Sequence, residues 1–122
     1  MIEIKLINGF RGVFATKILQ KNQVIHTLFG ATKITPSQTS IEIGKDNHIE
    51  DSIGRYINHS FNPSTRISGL TNREHTLQCG FIVSLRTIQV GDEITFNYNE
   101  SESKLASPFH DRETGLIVSG KK

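Results

Sequence analysis

Apolar and polar residues alternate from the start of the chain, with Ile2, Ile4 and Leu6 separated by Glu3 and Lys5. A period of two predicts a half-buried strand rather than a helix. Further strands are predicted at Val13–Ala15, Val24–Phe29, Ser40–Ile43, Thr65–Leu70, Leu77–Leu85 and Glu93–Phe96, each bounded by Gly, Asn, Asp or Pro turn residues. No stretch sustains a helical stripe for long, and only Ser52–Ile57 and Ser101–Ala106 could form a turn or two. The pattern therefore predicts a mainly β fold with little helix. Pro36–Ser40 reads as a loop. The more polar stretch Glu100–Lys122, with Phe109 and Leu116-Ile117-Val118 as apolar anchors, reads as a tail that folds back.

Composition narrows the class. The 122 residues suit a single domain, and 35% hydrophobic with 21% charged residues is a balance that folds. Basic residues number 14 and acidic ones 12, so the net charge is only +2, and they are spread evenly along the chain. A nucleic-acid binder needs its cations gathered on one face, so direct binding of nucleic acid is not expected. The single cysteine, Cys79, cannot make an intrachain disulfide, which points to an intracellular protein, cytoplasmic unless its target is chromatin. No run approaches the ~20 apolar residues of a membrane span, so no membrane association is expected. The five histidines show no metal-ligand spacing, and one cysteine cannot build a tetrahedral zinc site, so no metal is expected.

Three segments carry candidate chemistry. In Asn8-Gly9-Phe10-Arg11-Gly12-Val13-Phe14-Ala15, glycines ahead of a strand would let backbone approach a ligand; the plainer alternative is a tight turn before an edge strand. Arg55-Tyr56-Ile57-Asn58-His59-Ser60-Phe61-Asn62-Pro63-Ser64 packs hydrogen-bonding side chains around apolar ones, a mixture suited to a purine edge and face. Taken singly, His59 is more often a structural histidine. In Gly91-Asp92-Glu93-Ile94-Thr95-Phe96-Asn97-Tyr98, a turn leads into an alternating strand that ends at Tyr98. Such a tyrosine is either core or catalytic.

Together and in this order, the three segments resemble the SET-domain protein lysine methyltransferases. That family carries a Gly-x-Gly turn before a Val/Leu-Phe-Ala strand, then Arg-Phe-x-Asn-His-Ser-Cys-x-Pro-Asn, then Gly-Glu-Glu-Leu-Thr-Phe-Asp-Tyr. Here Phe10 stands at the first glycine with Gly9 displaced by one, Phe61 replaces the cysteine, Ser64 the final asparagine and Asn97 the aspartate. The resemblance covers roughly residues 4–109.

It implies a β-clip-like SET fold of several small curved sheets with a threaded C-terminal segment. Residues 1–109 would form the catalytic domain and 110–122 a tail packing on it, without a Cys-rich zinc segment. The implied reaction moves the methyl group of S-adenosylmethionine to the ε-amine of a lysine in a protein or peptide, histone-like or other. By matching position, backbone around Arg11, Gly12 and Val13 would hold the methionine moiety. Asn58 and His59 would meet the adenine and the amino group, and Phe109 would cover the adenine face. Tyr98 would be catalytic, and Phe96 would line the substrate channel beside it, with room for more than one methyl. A homodimer is left open.

Two alternatives come from other classes. One is a catalytically inactive SET-fold module that binds a peptide or small ligand, since fold does not guarantee activity. The other is a hydrolase using Cys79 and His59, disfavoured because Cys79 lies in an apolar strand pattern.

Overall fold

Asn8 and Gly9 adopt positive φ angles of 52° and 83°, the conformation of a two-residue hairpin turn whose twist matches its strands. The computed structural model describes residues 1–28, 32–33, 35–37, 39–44, 47–71, 78–102, 105, 108–111 and 114–120. The turn joins β1 (Ile2–Ile7) to β2 (Phe10–Ala15) in an antiparallel ladder from Ile7↔Phe10 to Ile2↔Ala15. β2 therefore starts at Phe10 rather than Val13. It is not an edge strand either, because β10 (Glu93–Phe96) pairs along its other side. Gly9 serves the hairpin, and a Cβ there would meet no atom within 4 Å.

Three further small sheets form among the described residues. β3 (Val24–Leu28), β9 (Gln78–Ser84) and β8 (Thr65–Thr71) form an antiparallel sheet in that order. β4 (Thr32–Lys33), β6 (Asn47–Ile49) and β5 (Ile41–Gly44) form another, and the short β4 and β6 carry no pattern that sequence periodicity could register. The predicted ends at Phe29 and Leu77 lie outside the described residues, as do Gln38 of the expected loop and half of Ser101–Ala106.

The sheets meet at a pair of glycines. Gly69 and Gly80 are cross-strand partners in β8 and β9, and Ile43 of β5 presses on both. A Cβ on Gly69 would stand 1.6 Å from the Ile43 carbonyl oxygen, and one on Gly80 would stand 2.6 Å from Ile43 Cγ2. Around this crossing the apolar core gathers Val13, Leu19, Ile25, Leu28, Ile41, Ile49, Ile57, Ile82, Ile88, Ile94 and Phe96. Strands β2, β3, β5, β6, β9 and β10, drawn from three sheets, supply most of it, so no single sheet folds against solvent alone.

Among the described residues helix is confined to one 3₁₀ turn (Gly54–Tyr56) and α1 (Tyr98–Ser101). α1 begins three residues before the helical turn expected at Ser101. The cause is Asn97, whose side-chain oxygen accepts from Asn99 N–H at 2.9 Å and caps the helix. Asparagine does this about as well as aspartate, which accounts for the exchange in the motif. β11 (Phe109–His110) pairs with β12 (Ile117–Val118), and Asn99 Oδ1 accepts from Ser119 and Gly120 N–H. Val118 is fully buried, whereas Leu116 is exposed and strand alternation turns Ile117 outward. Among the described residues no helix is long and apolar enough to cross a membrane.

Candidate active site

β10 changes partner midway. Glu93 and Ile94 pair with Phe14 and Val13 of β2, but Thr95 and Phe96 pair in parallel with Asn58 and His59, which form β7. The sheet thus forks at Gly12, bringing together segments some forty residues apart. Asn58 Nδ2 bridges the fork, donating to the Arg11 carbonyl at 3.0 Å and to Glu93 Oε2 at 2.8 Å. A Cβ on Gly12 would lie 2.9 Å from Glu93 Oε2 and 3.2 Å from Asn58 Nδ2, so glycine here makes room for the bridge. Val13 lies one step inside the fork, laddered on both sides, with its side chain fully buried.

Ser64 secures the other side of β10. Its hydroxyl donates to the Glu93 carbonyl and accepts from Thr95 N–H, both at 3.0 Å, and Thr65 Oγ1 donates to the Thr95 carbonyl at 2.6 Å. The 3₁₀ turn leading to Asn58 is fixed by buried Asp51, whose Oδ2 accepts from Ile53 N–H, Gly54 N–H and the His26 ring. Sequence reading missed Asp51, although Asp-Ser-Ile-Gly is a turn signature that could have found it.

His59 works from the interior. Its ring is 2% exposed, and Nδ1 accepts from Tyr98 N–H at 3.0 Å. The proton therefore belongs on Nε2, which is buried without a hydrogen-bond partner, 4.0 Å from Asp111 Oδ1 of the tail. Burial lowers its pKa, and the nearby Asp111 charge offsets this only in part. An unfolded histidine takes up its proton near pH ~6.5, so below that pH the unfolded chain binds more protons and the fold loses stability as pH falls. Protonation would also remove the Nδ1 acceptor from Tyr98 N–H. A ring-proton titration should place the His59 midpoint below that of a free histidine. His59→Asn, which keeps an acceptor but does not titrate, should flatten the dependence of unfolding temperature on pH below ~6.5.

Tyr98 ends β10 against this histidine. Its hydroxyl donates to the Ile57 carbonyl at 2.5 Å, and its ring packs 4.7 Å from Phe96, 5.2 Å from His59 and 6.0 Å from Phe109, centroid to centroid. Phe61 meets the other side of His59 edge-on at 4.4 Å. Burial first, then the charges of Glu102 and Glu93, push the Tyr98 pKa well up, so it remains a neutral phenol throughout the physiological range. Beside it opens a cleft of about 220 Å³ with Ile41, Ile57, Phe96, Leu105 and Phe109 as apolar wall. Ser37, Thr39, Ser40, Arg55 and Glu102 supply its polar groups. Glu102, 2% exposed, accepts from Glu42 N–H at 2.6 Å and ties α1 to β5; no local pattern in the sequence announces it.

Tyr98, Phe96, Phe109, Asn58 and His59 thus converge on one region, with Arg11 and Gly12 at the fork beside it. Tyr56 packs between the guanidinium groups of Arg11 and Arg55, 5.5 and 5.4 Å from its ring centroid. The Cys79 side chain, on which the hydrolase alternative depends, lies outside the described residues. Among the described residues no cluster of three His, Cys, Asp or Glu side chains could hold a metal ion.

The model of the SET domain family matches residues 10–99, most of the chain, with the first segment from Phe10 onward and the whole of the other two. The chain belongs to the SET-domain family. Over 46 residues this SET domain is 50% identical to a histone-lysine N-methyltransferase, H3 lysine-36 specific, from Mycosarcoma maydis. That match takes in 38% of the chain and 4% of the relative, so the chain spans a small part of that protein. The crystal structure of a Plasmodium falciparum protein described as a candidate histone methyltransferase superposes with a TM-score of 0.66 at 21% identity. It covers 83% of the present SET domain and 99% of its own chain, a likeness of fold.

Proposed function

We propose that this SET domain transfers a methyl group from S-adenosylmethionine to the ε-amine of a lysine in a protein or peptide, histone-like or other. The observation that carries the proposal is the fork at Gly12, which sets the Asn58–Glu93 bridge beside an aromatic cleft ending at Tyr98. The residues present fit the cofactor. At the fork the Arg11 carbonyl and the Glu93 carboxylate are acceptors suited to an α-ammonium group, and Asn58 can share hydrogen bonds with it. Phe109, 39% exposed on the tail, offers a face for the adenine, and the backbone of Asn58 and His59 its edge partners.

S-adenosylmethionine, when bound, supplies an electrophilic methyl on a sulfonium that leaves readily. The protein's work is then alignment and delivery of a neutral amine. Phe96, Ile57 and Tyr98 strip water from the lysine side chain, and such desolvation lowers an ammonium pKa. The Tyr98 hydroxyl, its proton held by the Ile57 carbonyl, turns its oxygen lone pairs toward the incoming amine. As a neutral phenol it orients the nucleophile and does not remove its proton, which passes to solvent. At the rim of the cleft the Ser37 and Thr39 hydroxyls donate to the Glu50 carboxylate and Ser40 Oγ donates to the Ser37 carbonyl, so these groups shape the rim.

Calorimetric titration with S-adenosylmethionine and its demethylated product tests the reading. Saturable binding is expected, weakened by ~1–3 kcal/mol in Asn58→Ala, the size of a lost hydrogen bond to a charged group. A folded sample that binds neither compound would overturn it. Binding without turnover on any lysine peptide or protein would identify an inactive module instead.

A further inference from the structure

The first ten residues expose Met1, Ile4, Leu6, Ile7 and Phe10, five of the twelve large hydrophobics that are exposed among the described residues. Four of them lie on or beside β1, the edge strand of the four-stranded sheet β1-β2-β10-β7. A six-residue edge with apolar side chains invites pairing with another strand. We propose that β1 pairs antiparallel with β1 of a second copy of this chain, across a two-fold axis at Ile4.

Backbone direction sets the parity. Thr16 N–H donates to the Met1 carbonyl at 2.8 Å, one step beyond the Ile2↔Ala15 pair, so odd-numbered residues of β1 turn their N–H and C=O toward β2. Ala15 N–H accordingly points away from β1, to the Asp92 carbonyl at 2.9 Å. Ile2, Ile4 and Leu6 therefore present their backbone groups outward, where a second strand must meet residues of the same parity.

Side chains then choose among the registers that satisfy this rule. Centring on Glu3 or on Lys5 sets each of these charges against its own copy. Centring on Ile4 sets Glu3 opposite Lys5 of the second copy, and Lys5 opposite Glu3, in the closely spaced pairs that bond no backbone. The same register sets Ile4 against Ile4, Ile2 against Leu6 and Met1 against Ile7. Leu6, 66% exposed in the single chain, gains an apolar partner. Glu3 and Lys5, now 3.2 Å apart within one chain, exchange that exposed contact for two intermolecular ones. The contact is self-complementary and closes after two copies, and one sheet runs through both.

Sedimentation velocity of the full chain over a concentration series tests this. A dimer is expected, and Lys5→Glu or Glu3→Lys should each raise its dissociation constant about tenfold or more, because two attractive pairs become repulsive. The double exchange, Glu3→Lys with Lys5→Glu, should restore it. Ile4→Pro, which deletes the central outward N–H at a position where an edge strand accepts proline, should give a monomer with an unchanged far-ultraviolet spectrum. A wild-type monomer throughout the series, or single reversals that leave the dimer intact, or a double exchange that fails to restore it, overturns the proposal. Cofactor binding is read separately and does not enter this outcome.

Discussion

Tyr98→Phe should lower the rate of lysine methylation by on the order of a hundredfold or more while leaving S-adenosylmethionine binding nearly unchanged. The ring stays, and with it the contacts to Phe96, His59 and Phe109. Only the hydroxyl is lost, and removing one positioned polar group from a water-poor site has effects of this size. Stability should also fall by ~1–3 kcal/mol, because the Ile57 carbonyl loses its donor. Rates must therefore be compared well below the unfolding temperature of the variant. Since Tyr98 is held as a neutral phenol, kcat/KM of the wild type should rise with pH through deprotonation of the substrate amine alone. Equal rates in wild type and variant would make Tyr98 structural.

The largest effect on stability is expected at Gly69. A methyl group added there would sit 1.6 Å from the Ile43 carbonyl oxygen and 2.6 Å from its carbon, and neither atom can swing aside as a side chain can. β5 would have to lift from β8, opening the core at Ile41 and Ile43. Gly69→Ala should cost roughly 3–5 kcal/mol, as overpacking combined with cavity formation does. That is a large share of the ~5–15 kcal/mol by which a domain is stable. Gly9→Ala is the control: nothing crowds its Cβ, and only the positive φ of 83° is strained, at roughly 1–2 kcal/mol. Urea unfolding separates the two. Equal losses would mean that β5 does not press on Gly69.

By itself the sequence determined the strand-rich character of the chain and the location of its chemistry. Alternation at Ile2–Leu6 and Glu93–Phe96 marks strands because side-chain direction along a strand repeats every two residues, a local property. The three motif segments were legible for a similar reason, since each is a short contiguous run whose residue types narrow its chemistry. Local rules did not reach β4, β6 and β7, which are two or three residues long and are strands only because a neighbour pairs with them. Nor could they show that Gly9 serves a turn while Gly12 clears space for Asn58 and Glu93, because that space is created by β10 exchanging β2 for β7. The tertiary structure alone put His59 beneath Tyr98, gave Ser64 its place beside Glu93 and Thr95, and brought Glu102 and Asp111 to the site. Those are contacts between residues distant in the chain, fixed by packing and hydrogen-bond geometry rather than by the preference of any one segment.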